Sequence, residues 1–207
     1  ESEAIKKLCD HKSKVSCHYF IKNSGEVLNL VPDLFTSWHA GESHWKKFSS
    51  LNKYSIGIEI NNPGHEHGYK KFSSKQISSL IKLLSYLKKK YGIKKQNILG
   101  HSDIAPNRKK DPGEKFPWSK LASKNLCKWY DFSQSKILKN RNFKIKDIEE
   151  KFFFNNLYRI GYSKKDKNFK KKKINLIKAF QRRFRQNLVN GKIDQECLLI
   201  SKRLVKS

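Results

Sequence analysis

Gly100-His-Ser-Asp-Ile-Ala-Pro-Asn-Arg-Lys-Lys-Asp-Pro-Gly-Glu-Lys-Phe-Pro-Trp118 is the stretch on which the reading of this chain turns. It follows the apolar pair Ile98-Leu99, which predicts a short buried strand over Asn97–Gly100 with His101 at its end. Asp111 comes later in a loop stiffened by Pro106 and Pro112, and such a loop can bring both side chains to one point. An imidazole and a carboxylate held together suit a divalent metal, and a nitrogen and oxygen donor set suits zinc. Lys109 lies beside them in sequence. Spacing alone equally permits a proline-rich surface loop with a lone histidine.

Working upstream, Ser73-Ser-Lys-Gln76 has the capping-box pattern that opens a helix, and Ile77, Leu80, Leu84, Leu87 and Tyr91 form its core-facing stripe. Gly92 is the stop signal. Before it, Asn61–Gly68 is a loop whose His65 and His67 read as solvated or as a metal pair. In Tyr54–Ile60, strand alternation places Ile56, Ile58 and Ile60 on one face and Gly57 and Glu59 on the other. An acidic residue inside an apolar strand costs free energy unless it is paired or functional, which singles out Glu59. Trp38 and His39 read as a buried Trp beside a hydrogen-bonded His. Val15, Cys17, Tyr19 and Ile21 alternate with Ser16, His18 and Phe20; Asn23-Ser-Gly25 then turns the chain into Glu26–Val31, a hairpin pattern. Residues 2–10 predict a short helix.

Downstream, Ser133–Lys146 has linker composition. Ile148, Phe152 and Ile160 have helical spacing, as do Ile174, Ile177, Phe180 and Phe184, with Lys170–Lys173 read as a solvated loop. Asp194 can cap a last helix carrying Cys197, Ser201, Leu204 and Val205.

The chain of 207 residues has room for one medium and one small domain. No run is apolar enough to span a membrane. The 46 Lys and Arg against 18 Asp and Glu give a net charge of +28, which attracts polyanions. The basic residues are spread along the chain without an aromatic-interleaved basic motif, so no specific nucleic-acid partner is expected. A genome-wide lysine bias, or attraction to the carboxylates of an acidic ligand, explains the charge equally well. Cys9, Cys17, Cys127 and Cys197 show no regular spacing, and no disulfide framework is expected.

The run from Gly100 to Trp118, with Val15-Ser-Cys-His-Tyr-Phe-Ile21, Trp38-His-Ala-Gly41 and Ser55-Ile-Gly-Ile-Glu-Ile60, resembles the motif series of zinc-dependent N-acetylmuramoyl-L-alanine amidases. The likeness is to the AmiD/AmpD-like amidase-2 group related to phage T7 lysozyme. Leu157-Tyr-Arg-Ile-Gly-Tyr162, Ala179-Phe-Gln-Arg-Arg-Phe184 and Gly191-Lys-Ile-Asp194 resemble the small peptidoglycan-binding domain often fused to such enzymes. The fold expected is α/β, a mixed central sheet flanked by helices and followed by a small three-helix domain. The boundaries expected are 1–130 for the amidase domain, 131–146 for a linker and 147–207 for the helical domain.

The resemblance implies hydrolysis of the amide between N-acetylmuramic acid, ordinary or anhydro, and L-alanine. It makes His101 and Asp111 zinc ligands, Glu59 the general base and then acid, and Lys109 the stabiliser of the developing oxyanion. Trp38 and His39 become a wall of the substrate groove, while His18 matches a structural position. The family takes a further zinc ligand from a histidine on a strand upstream of the first helix; no such motif is present, and the expectation is that this strand belongs to the natural gene product ahead of Glu1. The implied partners are peptidoglycan or muramyl peptides, with the protein expected to be a monomer in the periplasm or envelope, the cytoplasm being the alternative. Two other readings stay open: a peptidoglycan binder without catalysis, and a basic nucleic-acid binder.

Overall fold

The computed structural model describes residues 1–164 and 169–206. Packing divides the chain into two units, Glu1–Ser43 with Phe48–Lys94 and His44–Lys47 with Lys95–Ser207.

The first unit begins with helix α1, Ser2–Cys9. A three-stranded sheet follows, with Tyr19–Ile21 central, Val27–Asn29 antiparallel on one side and Ile58–Ile60 parallel on the other. The sheet is therefore mixed, and the hairpin lies where its turn residues place it. The alternation read over Val15–Ile21 does not hold: Cys17, His18, Phe20 and Ile21 are all buried, because both faces of this central segment are covered. Helix α2, Ser74–Tyr91, starts in a capping box in which Ser73 Oγ accepts the Gln76 N–H at 3.1 Å and Gln76 Oε1 accepts the Ser73 N–H at 3.0 Å. Its Ile77, Leu80, Leu84 and Leu87 are buried near the central strand, each stabilising by roughly 1.5–3 kcal/mol. Tyr91, expected in that stripe, instead reaches the surface and donates its hydroxyl to Asp33 at 2.7 Å. Gln76 also donates to the Asn61 carbonyl at 2.8 Å, so the helix start fixes the chain just past Ile60.

The second unit holds α3 (His101–Ile104), α4 (Trp118–Ser123), α5 (Gln134–Leu138), α6 (Asp147–Ile160), α7 (Phe169–Phe184) and α8 (Gln195–Lys206). Phe153, Leu157, Phe180, Leu198, Ile200 and Leu204 make its core, with the Phe153 and Phe180 rings edge-on at 5.2 Å. The apolar stripe of α6 is one step round from the expected one: Phe153, Phe154, Leu157 and Ile160 are buried, whereas Ile148 and Phe152 are exposed. Ile174 on α7 is exposed as well. The backbone of Lys170–Lys173, read as a loop, is helical. Asp194 caps α8 as expected, its Oδ1 accepting the Cys197 N–H at 3.0 Å.

Two expectations are corrected by where the backbone groups go. Residues 98–100 form no strand: Lys95–Asn97 is a turn of 3-10 helix, and the Ile98 carbonyl accepts from Arg183 at 2.8 Å. Ser133–Lys146 is not a free linker either. Ile137 of α5 is buried, and Arg141 grips the buried Glu196 of α8 with a two-pronged fork at 2.7 and 2.8 Å, a geometry stronger than a single neutral hydrogen bond. The packing division falls near residue 94. All four cysteines are free thiols, with Cys17, Cys127 and Cys197 buried. Among the described residues no helix is long and apolar enough to cross a membrane.

Candidate active site

His101 opens α3, a single helical turn. Gly100 precedes it, where a Cβ would come within 2.7 Å of Pro112 Cδ, so the backbone approach of the two arms of the loop needs glycine. The Ser102 N–H donates to the Asp111 carbonyl at 2.8 Å and closes the loop across its middle. This brings His101 Nδ1 to 3.1 Å from Asp111 Oδ2. The His101 side chain is 14% exposed and that of Asp111 54%, so the pair faces outward from a rigid base. Burial pushes the Asp111 carboxyl up, but the hydrogen bond and charge of His101, the backbone and the charge of Lys109 outweigh it and hold the carboxyl below its ordinary value.

A charged carboxylate beside an imidazole nitrogen fits a zinc site. Two donors bound tetrahedrally to one zinc ion stand roughly 3.3 Å apart, close to the 3.1 Å found here. Arg108 Nη2 lies 3.4 Å from His101 Nε2. Among the described residues no three His, Cys, Asp or Glu side chains converge on one point. Lys109 is half-buried, and its N–H donates to the Ala105 carbonyl at 2.9 Å.

In the first unit Glu59 occupies the middle of Ile58–Ile60, opposite Phe20 in the parallel register. It is exposed, on the edge of a cleft of about 270 Å³ lined also by Ala4, Leu8, Val15, Phe20 and Ile60. The burial cost that singled it out therefore does not apply, and its interest rests on the motif. Burial, and then the Glu59 charge, push the nearby Cys17 thiol up to about 12.

Trp38 is half exposed, its N–H donating to Ser16 Oγ at 2.8 Å. The ring nitrogens of His39 meet Ser37 Oγ at 2.7 Å and Ser55 Oγ at 2.9 Å. Gly57 leaves room for that ring: a Cβ there would stand 2.2 Å from His39 Cγ. His65 and His67 are exposed, and His65 stacks on Tyr69 at 4.3 Å.

Sequence reasoning passed over Asp103, Tyr162, Arg183 and Gln186. Asp103 stands two residues after His101, is 1% exposed, and accepts from the Gly100 N–H at 2.8 Å, the Tyr162 hydroxyl at 2.7 Å and Arg183 at 2.5 Å. Its only sequence signal is an acidic residue in the first turn after an extended glycine. Its partners lie 59 and 80 residues away, beyond any local pattern.

Residues 1–114 match the Amidase_2 family, described as N-acetylmuramoyl-L-alanine amidase. The chain belongs to the N-acetylmuramoyl-L-alanine amidase family. The amidase AmiD of Escherichia coli K12 is 33% identical over 205 residues, 93% of this chain and 74% of that protein. This amidase also superposes on the structure of E. coli AmiD in complex with anhydro-N-acetylmuramic acid-L-Ala-D-gamma-Glu-L-Lys, with a TM-score of 0.89, 32% identity, and coverage of 99% of this chain and 84% of that one. AmpDh3 of Pseudomonas aeruginosa, solved with an anhydromuramic pentapeptide, gives a TM-score of 0.86 at 27% identity, over 99% and 86% of the two chains. The activity is that of an amidase on the bond between N-acetylmuramic acid and L-alanine, on an α/β fold shared with AmiD.

Proposed function

We propose that the amidase is zinc-dependent, with His101 and Asp111 as two of the metal's protein ligands and a further protein donor outside this pair. The observation that carries the proposal is the imidazole nitrogen held 3.1 Å from a charged, outward-facing carboxylate by a closed loop. Zinc bound there would polarise the scissile carbonyl and bring the pKa of a bound water toward neutrality. Glu59 takes the proton of the attacking water and passes it to the departing amine of L-alanine, which needs a carboxylate in reach of solvent, as this one is. Lys109 stabilises the negative charge that develops on the carbonyl oxygen. Trp38 offers an exposed indole face, and His39 beside it is held by two serine hydroxyls, as a wall for the sugar or peptide.

The substrates are muramyl peptides, whether free or in peptidoglycan, as suggested by the peptides bound in the AmiD and AmpDh3 structures. The three helices α6 to α8 add a hold on the wall, and a net charge of +28 favours the carboxylates of stem peptides. On this reading the protein acts as a monomer at the cell envelope, an inference supported by the proposed hold on the wall. Release of L-alanine-terminated peptide from a purified muramyl peptide tests the reading. Turnover should disappear on chelation and return with zinc; turnover that survives exhaustive chelation would contradict it.

A further inference from the structure

We propose that Arg183 and Gln186, from the end of α7 and just beyond it, are positioning residues for the metal-binding pair: together they clasp both ends of the loop that carries His101 and Asp111. The proposal rests on the zinc reading of that pair. Arg183 works at the entrance. Its Nη1 donates to Asp103 Oδ2 at 2.5 Å and its Nη2 to the Ile98 carbonyl at 2.8 Å, so one planar fork holds residues on either side of His101. Gln186 works at the exit. Its Nε2 donates to the Glu114 carbonyl at 2.7 Å and the Phe116 carbonyl at 2.6 Å, just past Asp111. Between them the guanidinium lies 4.1 Å from the Trp118 ring centroid, and the Tyr162 hydroxyl completes the Asp103 carboxylate.

The cluster is built where it costs most. Asp103, Tyr162 and Arg183 are 1%, 2% and 3% exposed. Burial works against the Arg183 charge, and Asp103, together with Cys127 and Tyr162, more than offsets it. A buried ion pair seldom adds net stability over apolar packing of the same shape, so stability alone gives little reason to place one here. What the fork supplies is direction: a guanidinium can serve a carboxylate and a carbonyl in fixed geometry, which a lysine ammonium cannot. The C-terminal helices are thereby a template for the loop, beyond any hold they provide on the wall. Residues that orient metal ligands from behind usually change metal affinity by about 10–100-fold when altered.

The test uses the full chain and two readouts. Zinc affinity is measured by competition with a chromophoric chelator for wild type, Gln186→Met, Arg183→Met, Arg183→Lys and His101→Ala. Amide exchange at Gly100, Ser102 and Asp103 is followed in the zinc-free proteins, with circular dichroism and thermal melting to establish folding. Gln186→Met should stay folded, weaken zinc about tenfold or more, and speed exchange at Ser102 before any metal is added. Arg183→Met should do more, and Arg183→Lys should recover little. A folded Gln186→Met protein with zinc affinity within about twofold of wild type overturns the proposal. Should Arg183→Met not fold, Gln186→Met decides alone, since it leaves the buried ion pair intact. Unchanged zinc affinity in His101→Ala would instead strike the zinc reading itself, and this proposal with it, on a different variant.

Discussion

His18 and His101 stand in differently built surroundings. His18 is 1% exposed; its Nδ1 accepts the Gly57 N–H at 2.9 Å and lies 2.8 Å from Ser37 Oγ, while its Nε2 donates to the Phe35 carbonyl at 2.9 Å. Both nitrogens are used, all by neutral groups, and the ring ties three separate segments of the first unit together. His101 faces a carboxylate that is itself more than half exposed, on a loop braced from behind by buried groups. A histidine enclosed by neutral partners is a cross-link. One held rigidly beside a charged, accessible carboxylate has the arrangement proposed above for a zinc ligand. Both occur in recognisable motifs, and geometry, not motif membership, separates them.

The sharpest way to break this contrast is to remove the group proposed as the general base. Glu59→Gln should lower turnover of muramyl peptide by about 10³-fold, within the range for a general base, while zinc content stays at the wild-type level. Loss of zinc along with turnover would show that Glu59 belongs with the ligands. Next in size is His18→Leu, which leaves the Gly57 N–H and the Phe35 carbonyl without their ring partner. It should cost about 2–4 kcal/mol in denaturant unfolding, with zinc affinity per folded molecule unchanged. A matching fall in zinc affinity would erase the distinction between the two histidines.

A third variant sharpens the contrast by asking what a structural carboxylate does with pH. Asp33 has a side chain only 7% exposed and accepts from Tyr19 at 2.5 Å, Tyr91 at 2.7 Å and Lys90 at 3.1 Å. Burial raises its pKa, but these hydrogen bonds and the Lys90 charge outweigh that and lower it. A lowered folded pKa means that the stability it contributes is complete above the unfolded value of about 3.9 and is lost as pH falls through the lower folded value. Asp33→Asn should therefore cost about 1–2 kcal/mol at neutral pH and lose less than wild type on acidification below about pH 4. Equal acid sensitivity in the two proteins would remove Asp33 as a source of it. Smallest of all, His65→Ala should leave zinc affinity within about twofold, because that ring is exposed and stacked on Tyr69.

These surroundings also explain what the sequence could show. The hairpin, the capping box at Ser73 and Gln76, the three C-terminal helices and the pairing of His101 with Asp111 all rest on local patterns, and local patterns are legible. The strand expected over Asn97–Gly100 fails because an arginine far along the chain takes the Ile98 carbonyl that a neighbouring strand would have used. Alternation in Val15–Ile21 fails because His18 is a polar residue given buried partners by Gly57 and Phe35. Glu59 was singled out by a burial argument that its exposed position removes, although its motif stands. The hold of Arg183 and Gln186 on the loop was not legible, since hydrogen bonds to backbone carbonyls 70 to 85 residues away impose no spacing on the sequence.

The most direct measurement is zinc binding by the wild-type chain and by Asp111→Ala, at neutral pH in the same buffer, with the unfolding midpoint recorded for each. The account predicts about one zinc per wild-type chain and an affinity lower by at least about 100-fold in the variant, at nearly unchanged stability because the removed side chain is 54% exposed. Equal zinc affinity in two equally folded proteins would show that the His101 and Asp111 pair is a surface salt bridge and not a metal site.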